Sequence, residues 1–524
     1  SEETGEFRCL YTAPGEKAES VFLREGAMYV TSGGRRHEIV AYRSRRREIV
    51  PSLECLTGTV SYSGSSTGGP DLAITFRLDE KSLRFGMMAR AELHVSGLLV
   101  WGAEPERATF GVRLDSDDRV LRAACGPAVA SCDDALFDRL TDRALEFRSA
   151  GSFRVCYDWA AENYRFDYVN GLDFGREFTF RIHEEFCRRK FNIPYAPIRK
   201  SHGFETPPVG WMSWYALQFG TCARSVQENV EKLVELFAPW SEKLCCWVDW
   251  EWSHDSWSAA GIPGVDCFHP RRDIYPEGLA PVAAGIRKLG VIPALWVGPT
   301  NDGDLIASYR EHPDWVLGEK KEWCGRYWID PTHPGVLREY IPAVFRQVLD
   351  WGFRMIKWDC LPATLNACDD FHDRFHDSTR PTDAAVRDLV RAARETVGPD
   401  CYMLSCSGET ERDICFAMDQ FSAARISGDV FSWENFLSSA VERLFHCYVW
   451  HNVVLYADAD NLVLREEFNT MAQARSRVSL YGLAGLPVTM GDDLRTLPPE
   501  RCGLLRRILP TVDIHPMDLS RKQR

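Results

Sequence analysis

The chain has 524 residues, of which 45% are apolar and 26% charged, a composition typical of a globular protein too long for a single ordinary core. Its formal net charge of −13 argues against a nucleic acid partner, because phosphate binding depends mainly on Lys and Arg. No apolar run reaches the ~18 residues that a membrane-spanning helix needs.

The 18 cysteines follow no metal-binding pattern. No Cys-x-x-Cys pair occurs, and several cysteines lie in apolar runs such as Leu244-Cys-Cys-Trp-Val248, where a thiol acts as a small core residue. We therefore expect reduced thiols, no metal and no cofactor. Reduced thiols and the absence of a charged-then-apolar signal at the first residues favour a cytoplasmic location.

The first part of the chain has the alternating pattern of β-strands. Apolar residues recur at every second position in three segments, Leu72–Leu78, Leu83–Val95 and Phe178–Ile182. The connections between such segments are rich in Ser, Gly and Pro. We predict that residues 1–200 form an antiparallel β-sandwich domain.

After residue 200 the pattern changes to apolar strand runs separated by helical segments. Eight runs start near Val209, Leu244, Ile292, Arg354, Tyr402, Phe421, Cys447 and Leu486. Between them, Ser225–Glu228 is a capping box that predicts a helix start, and a second helix is expected from Thr382 to Gly398. Eight βα units predict a (β/α)8 TIM barrel over residues 201–524.

In such a barrel the reactive residues collect at the carboxyl ends of the strands. Residues at or just after predicted strand ends are Asp249, Trp296, Asp359, Cys406, Asp429, Asp458 and Asp492. Two of them follow a nearby cation: Lys357 precedes Asp359 by two residues, and Arg425 precedes Asp429 by four. A cation beside a carboxylate keeps it ionised, which suits a nucleophile.

The pair of aspartates predicts a retaining glycosidase. Such an enzyme needs one carboxylate that attacks the sugar and one carboxyl group that protonates the leaving oxygen. The two carboxyl groups are then expected ~5–5.5 Å apart.

Several segments, in chain order, resemble the α-galactosidase clan and in particular glycoside hydrolase family 36, of which the chain is identified as a divergent member. The matching segments lie between about residues 205 and 515 and are Leu295–Pro299, Ile329–Pro334, Lys357–Asp359, Ser405–Asp413, Arg425–Asp429, Tyr456–Asp460 and Met490–Arg495. In that family a β-sandwich precedes the barrel, as predicted here.

The resemblance implies a role for individual residues. Asp359 would be the nucleophile and Asp429 the general acid/base. The residues implied to bind the sugar are Asp249, Trp250, Lys357, Arg425, Trp211, Trp296, Cys406 and Arg326, with Cys406 near the sugar C2. The spacing from Arg326 to Asp330 is shorter than in the family.

Two departures from the family alter the subsite that binds the sugar and leave the catalytic carboxylates unchanged. The usual Asp-Asp-Gly-Trp reads Asp249-Trp250-Glu251-Trp252 here, so that Trp250 replaces a carboxylate that grips the sugar. The glycines near C2 become Gly408-Glu409-Thr410. Both catalytic carboxylates are kept.

The sequence thus predicts an exo-α-glycosidase that hydrolyses terminal α-galactosyl residues of oligosaccharides or glycoconjugates by double displacement. Alternatives within the class are an α-N-acetylgalactosaminidase and a raffinose-synthase-like galactosyl transferase. A catalytically inactive carbohydrate-binding protein and a different, metal-dependent barrel enzyme are alternatives of other classes. The expected partner is a carbohydrate, and a homo-oligomer is compatible with the sequence.

Overall fold

A computed structural model of the protein describes residues 204–514, apart from 254–266, 303–310, 407 and 409. Before them it describes residues 135–139, 141–148, 177–190, 192 and 194–198, together with the strands named below. Residues 90–95 of the predicted strand and Glu409 lie outside the described residues. The chain divides into two units between residues 192 and 193.

The alternating segments of the first unit form antiparallel strands. These strands are Phe7–Tyr11 (β1), Ser20–Ser32 (β2), Arg35–Glu38 (β3), Arg43–Pro51 (β4), Leu56–Ser63 (β5), Leu72–Leu78 (β6), Ser82–Ala89 (β7), Thr109–Val112 (β8), Val120–Ala123 (β9), Ala135–Asp138 (β10), Arg143–Arg148 (β11), Phe153–Asp158 (β12), Asn163–Tyr168 (β13) and Glu177–His183 (β14). They form two sheets, β1-β2-β8-β13-β12 with β3 paired to β2, and β4-β5-β6-β7-β14-β11-β10-β9. That these sheets pack face to face as a sandwich stays a prediction.

The second unit contains an eight-stranded parallel sheet that is consistent with a TIM-like barrel. Its strands are Val209–Met212 (β15), Leu244–Val248 (β16), Ile292–Val297 (β17), Met355–Trp358 (β21), Tyr402–Ser405 (β22), Ala423–Arg425 (β23), Tyr456–Asp458 (β24) and Val488–Met490 (β25). Their order is β24-β23-β22-β21-β17-β16-β15-β25. Nearly all their residues are buried, as expected for strands covered on both faces.

The two ends of this sheet are linked through the segment that follows β24. The Leu462 N–H donates to the Thr489 carbonyl at 2.8 Å, and the Gly491 N–H donates to the Leu462 carbonyl at 3.0 Å. A parallel bridge therefore joins Leu462 to Met490 of β25. This bridge brings the sheet round upon itself, as a barrel requires.

Helices alternate with these strands. The helices of the described residues are Phe186–Lys190, Ser213–Leu217, Ala223–Phe237, Leu279–Lys288, Ile341–Trp351, Leu361–Asp370, Thr382–Val397, Glu411–Cys415, Trp433–Asn435, Glu442–Cys447, Met471–Ala484 and Pro499–Arg506, with π-helical turns at Val336–Tyr340 and Phe436–Val441. None of the helices in the described part of the chain is long and apolar enough to cross a membrane.

The predicted ends of two helices can be compared with the structure. The predicted start at Thr382 and stop at Gly398 are confirmed, and Gly398 has a φ of 81°. The capping box begins earlier than predicted: Cys222 is the cap, and Ser225 is the third helical residue, whose Oγ accepts the Cys222 N–H at 2.9 Å.

The prediction of a strand near Cys447 is wrong. Glu442–Cys447 is a helix, and the strand begins later, at Tyr456. A short apolar run fits either a buried helix or a buried strand, so its periodicity could not distinguish the two.

An antiparallel three-stranded sheet is inserted between β17 and β21. Its strands are Asn301–Asp302 (β18), Val316–Glu322 (β19) and Gly325–Ile329 (β20), in the order β18-β20-β19. Arg326 belongs to this insertion and not to the barrel strands.

Candidate active site

One face of the parallel sheet changes from apolar to polar toward the carboxyl ends of its strands. A buried cluster contains Trp247, Ala294, Met355, Leu404, Ala423 and Tyr456, one residue from each of six strands. Two residues later on each strand lie Asp249, Trp296, Lys357, Cys406, Arg425 and Asp458. Side chains two apart on a strand share a face, so these six residues form the next layer. The period of two therefore brings most of the predicted site residues together.

Asp359 continues this face one step beyond Lys357 and is only partly buried. Its Oδ2 accepts a hydrogen bond from Trp296 Nε1 at 2.9 Å, and its Oδ1 accepts one from the Cys360 N–H at 2.6 Å. These donors come from β17 and from the residue that follows Asp359. They fix the carboxylate while leaving it accessible, as an attacking group requires.

Lys357 forms its ion pair with Asp249 and not with Asp359. Its Nζ lies 2.9 Å from Asp249 Oδ2, and both side chains are almost completely buried. Burial alone would lower the pKa of Lys357, but the charges of Asp249 and Asp359 raise it, so the ammonium stays charged. Asp249 also caps the following turn, since its Oδ1 accepts the Trp250 N–H at 2.9 Å.

Arg425 is a second buried cation, shared between two aspartates. Its Nη1 lies 3.1 Å from Asp460 Oδ1, and its Nη2 lies 3.3 Å from Asp429 Oδ1. The Nη2 also donates to the Ser427 carbonyl at 3.0 Å, and the Nη1 lies 3.6 Å from Cys406 Sγ. Arg425 therefore joins the ends of β22, β23 and β24.

Asp429 is accessible, with 56% of its side chain exposed, although it touches the buried Arg425. Partial removal from water raises the pKa of Asp429, but the charges of Arg425 and then Lys357 outweigh this effect and hold the pKa below its usual value. Asp359 and Asp429 both raise the pKa of the buried Cys406 thiol, after burial itself. Both carboxylates therefore lie close enough to Cys406 to affect its ionisation.

Aromatic side chains border this cluster near Asp359. The Trp250 ring packs against Trp296, with centroids 6.0 Å apart, and also against Trp214, Phe219 and Trp323. Trp250 and Trp296 are buried, whereas Trp323 is half exposed. Trp250 is thus part of an apolar wall.

Two predicted sugar-binding residues lie outside the polar cluster. Trp211 is completely buried, and its Nε1 donates to the Asp492 carbonyl at 2.9 Å. Arg326 forms an ion pair with Glu319 and lies over the Tyr327 ring at 5.4 Å. These observed partners of Arg326 belong to the inserted sheet.

Comparison with known proteins gives weak similarities. No family model matches the chain. The chain is similar to the α-galactosidase TtGalA of Thermus thermophilus, with 18% identity over 92% of this chain and 94% of that chain and a TM-score of 0.47. It is also similar to a GH27 β-L-arabinopyranosidase of Geobacillus stearothermophilus, with 18% identity over 60% of this chain and 78% of that chain and a TM-score of 0.49.

A third similar structure is the GH36 α-galactosidase AgaA of Geobacillus stearothermophilus. It shows 14% identity over 96% of this chain and 76% of that chain, with a TM-score of 0.45. All three are glycoside hydrolases by description. These identities and TM-scores are too low to assign an activity, so the function has to be inferred from the residues of the site.

Sequence reasoning missed several buried groups around the predicted ones. Ser213 Oγ accepts the Asp249 N–H at 2.9 Å and hydrogen-bonds to Glu251. Burial, followed by the charge of Asp249, raises the pKa of Glu251 to about 8, so this carboxyl group is protonated at neutral pH. Tyr215 lies near Asp429 and Asp460. Only Glu251 carried a signal in the sequence, since it follows the strand-end aspartate by two residues.

The charged groups of the candidate site are carboxylates and the cations Lys357 and Arg425. Within residues 204–514 as described, and the described residues before them, no group of three or more His, Cys, Asp and Glu side chains could hold a metal ion. Eleven of the thirteen cysteines that the structure describes are buried, as expected of small core residues.

Proposed function

We propose that this protein is a retaining exo-α-glycosidase that hydrolyses terminal α-galactosyl residues of oligosaccharides or glycoconjugates. One observation carries the proposal. Two accessible carboxylates, Asp359 and Asp429, follow strands β21 and β23 of one parallel sheet, and the buried cations Lys357 and Arg425 lie beneath them. Two carboxyl groups on one strand-end rim are what double displacement at a glycosidic bond needs.

In the first step Asp359 attacks the anomeric carbon and Asp429 donates a proton to the departing oxygen. The hydrogen bonds from Trp296 and from the Cys360 N–H hold Asp359 in a fixed orientation. Preorganisation of this kind lowers the entropy lost on reaching the transition state.

In the second step Asp429, now ionised, accepts a proton from a water molecule as that water attacks the anomeric carbon, which breaks the bond to Asp359 and releases the sugar. Arg425 favours the ionised form of Asp429 through its Nη2, 3.3 Å away. The same aspartate therefore acts first as acid and then as base.

The remaining residues of the cluster suit the binding of sugar hydroxyls. Lys357 Nζ carries three N–H groups, and Asp249 takes one of them, so another is left for a hydroxyl group. Asp249, Arg425 and Cys406 would contact the sugar from the same layer. The wall formed by Trp250 and Trp296 offers flat apolar surface for a C–H face of the ring.

A substrate panel tests this function. We expect the purified protein to release nitrophenol from nitrophenyl α-galactoside, and NMR should show α-galactose as the first product. The β-anomer would contradict retention. The N-acetylgalactosaminide tests the alternative sugar, and an added acceptor sugar exposes transglycosylation.

The Asp359→Asn variant distinguishes turnover from binding. It should lose several orders of magnitude in kcat, because the nucleophile is removed while the volume of the side chain is kept. Asp400→Asn, at an exposed position after a distant helix, is the matched control and should keep full activity. An unimpaired Asp359→Asn enzyme, or a protein that binds the sugar without any turnover, would refute the proposal.

A further inference from the structure

Tyr215 is a buried tyrosine close to Asp429, the proposed acid/base. It lies in the helix Ser213–Leu217, which follows β15, and no part of it is exposed. Its ring packs on Phe431, with centroids 4.6 Å apart. Phe431 follows Asp429 by two residues, so this contact places the tyrosine beneath the loop that carries Asp429.

The hydroxyl group of Tyr215 is unusual in its surroundings. Among the described residues it makes no hydrogen bond of ordinary geometry, although the carboxylates of both Asp429 and Asp460 lie close to it. A buried polar group without a partner is rare, because desolvation is not repaid. Burial, then the charges of Asp429 and Asp460, raise the pKa of Tyr215, so the hydroxyl keeps its proton as a donor.

The groups that face Asp429 come from several elements. Arg425 of β23, Lys357 of β21 and Tyr215 after β15 favour its ionised form, and Cys406 after β22 interacts with it. Arg425 also forms an ion pair with Asp460, and the negative charge of Asp460 offsets part of the effect of Arg425 on Asp429. Tyr215 is therefore the neutral donor of this set.

We propose that Tyr215 is a positioning residue that donates a hydrogen bond to the Asp429 carboxylate each time that group has lost its proton. The inference rests on the proposed function. It requires a small movement that completes the hydrogen bond when substrate is bound, and catalytic hydrogen bonds are often long in unliganded sites. When Asp429 is protonated the bond is weakened, so the hydroxyl acts on one protonation state only.

The test is the Tyr215→Phe variant, with kcat/KM measured against pH on two substrates. On an α-galactosyl disaccharide, whose leaving group needs a proton, the alkaline limb should move up by about one pH unit, because a donor to the ionised form is lost. On the nitrophenyl glycoside, which leaves without that proton, kcat/KM should change less than about twofold. An unmoved limb, or an equal loss on both substrates, would overturn the inference.

Tyr275→Phe is the matched control. Tyr275 is also fully buried and its hydroxyl also has no partner among the described residues, but it faces Glu251 and Cys246 instead of Asp429. Its removal should leave the limb in place. A similar shift in both variants would show a general effect of buried hydroxyl loss and would overturn the proposal.

A third variant separates this inference from the proposed function. Asp429→Ala should lose activity on the disaccharide far more than on the nitrophenyl glycoside. Equal losses would refute the acid/base role itself. A selective loss in Asp429→Ala together with an unmoved limb in Tyr215→Phe would refute only the role of Tyr215.

Discussion

At the scale of single residues, the site separates buried charges from accessible ones. Lys357, Asp249, Arg425 and Asp460 are buried and paired, whereas Asp429 is largely exposed. Buried pairs keep fixed charges in position, and accessible carboxylates are free to meet a substrate. The division matches the proposed roles, in which buried groups bind the substrate and accessible carboxylates carry out the proton and covalent chemistry.

The low pKa of Asp429 gives the first prediction. In the proposed mechanism Asp429 must carry its proton in the first step, and kcat/KM reports the protonation of the free enzyme. Because Arg425 and Lys357 outweigh the effect of burial and hold the pKa of Asp429 below the usual value of an aspartate, kcat/KM on a disaccharide should fall as pH rises above the acidic range. The nitrophenyl glycoside should lack this limb. A disaccharide kcat/KM that rises from pH 4 to 7 would contradict the prediction.

The buried pair of Lys357 and Asp249 gives a second prediction. Lys357→Met leaves Asp249 as an uncompensated buried charge, so the free energy of unfolding should fall by about 3–5 kcal/mol in denaturant titration. Adding Asp249→Asn should recover part of this loss. The exposed pair of Arg224 and Glu228 is the control, and Arg224→Gln should have little effect. A fully stable Lys357→Met protein would show that the pair does not contribute.

At the scale of elements, the site depends on the close approach of the loops after β22 and β23. Gly408 has a φ of 123°, which side-chain-bearing residues rarely adopt. A Cβ there would lie 2.5 Å from the Ser427 carbonyl oxygen and 2.7 Å from the Ser427 nitrogen. Ser427 also accepts a hydrogen bond from Arg425, so this contact supports the cation beside Asp429.

Gly408→Ala should therefore damage both stability and activity. The clash is with backbone, which yields less easily than a side chain, and we expect a loss of about 1–3 kcal/mol in the free energy of unfolding. KM should also rise, since Arg425 is displaced. Gly220→Ala, where a Cβ would meet nothing within 4 Å, is the control and should be nearly neutral. Equal behaviour of the two variants would exclude this role for the loop contact.

At the scale of the whole molecule, stability should depend on pH through buried carboxyl groups. Burial raises the pKa of Glu251 to about 8 from its usual 4.5, and that of Asp458 to about 6. At a pH between its unfolded and folded pKa values, each group holds a proton in the folded state that the unfolded chain has lost. The stability that the protonated groups contribute is complete below the unfolded pKa values and is lost as pH rises through the folded ones.

Glu251→Gln tests this dependence. Between about pH 5 and 8, Glu251 alone should lower the free energy of unfolding by about 1.4 kcal/mol per pH unit. The variant keeps the volume and a polar group for Ser213 but cannot ionise, so its thermal midpoint should fall less over this interval. Glu277→Gln, at an exposed position, should leave the slope unchanged. Identical slopes in parent and Glu251→Gln would contradict the assignment.

Sequence patterns correctly predicted every strand run of the parallel sheet except the seventh, and the shared face of most candidate site residues. Both follow from short-range rules, because apolar runs mark buried strands and a period of two marks a face. Sequence patterns did not predict which groups meet across strands: Lys357 meets Asp249, 108 residues away, and Trp296 meets Asp359, 63 residues away. Strand register sets such pairs, as where Trp296 lies opposite Lys357, and register depends on the packing of the whole sheet. Tyr215 shows the same limit, because only the folded chain brings it to Asp429.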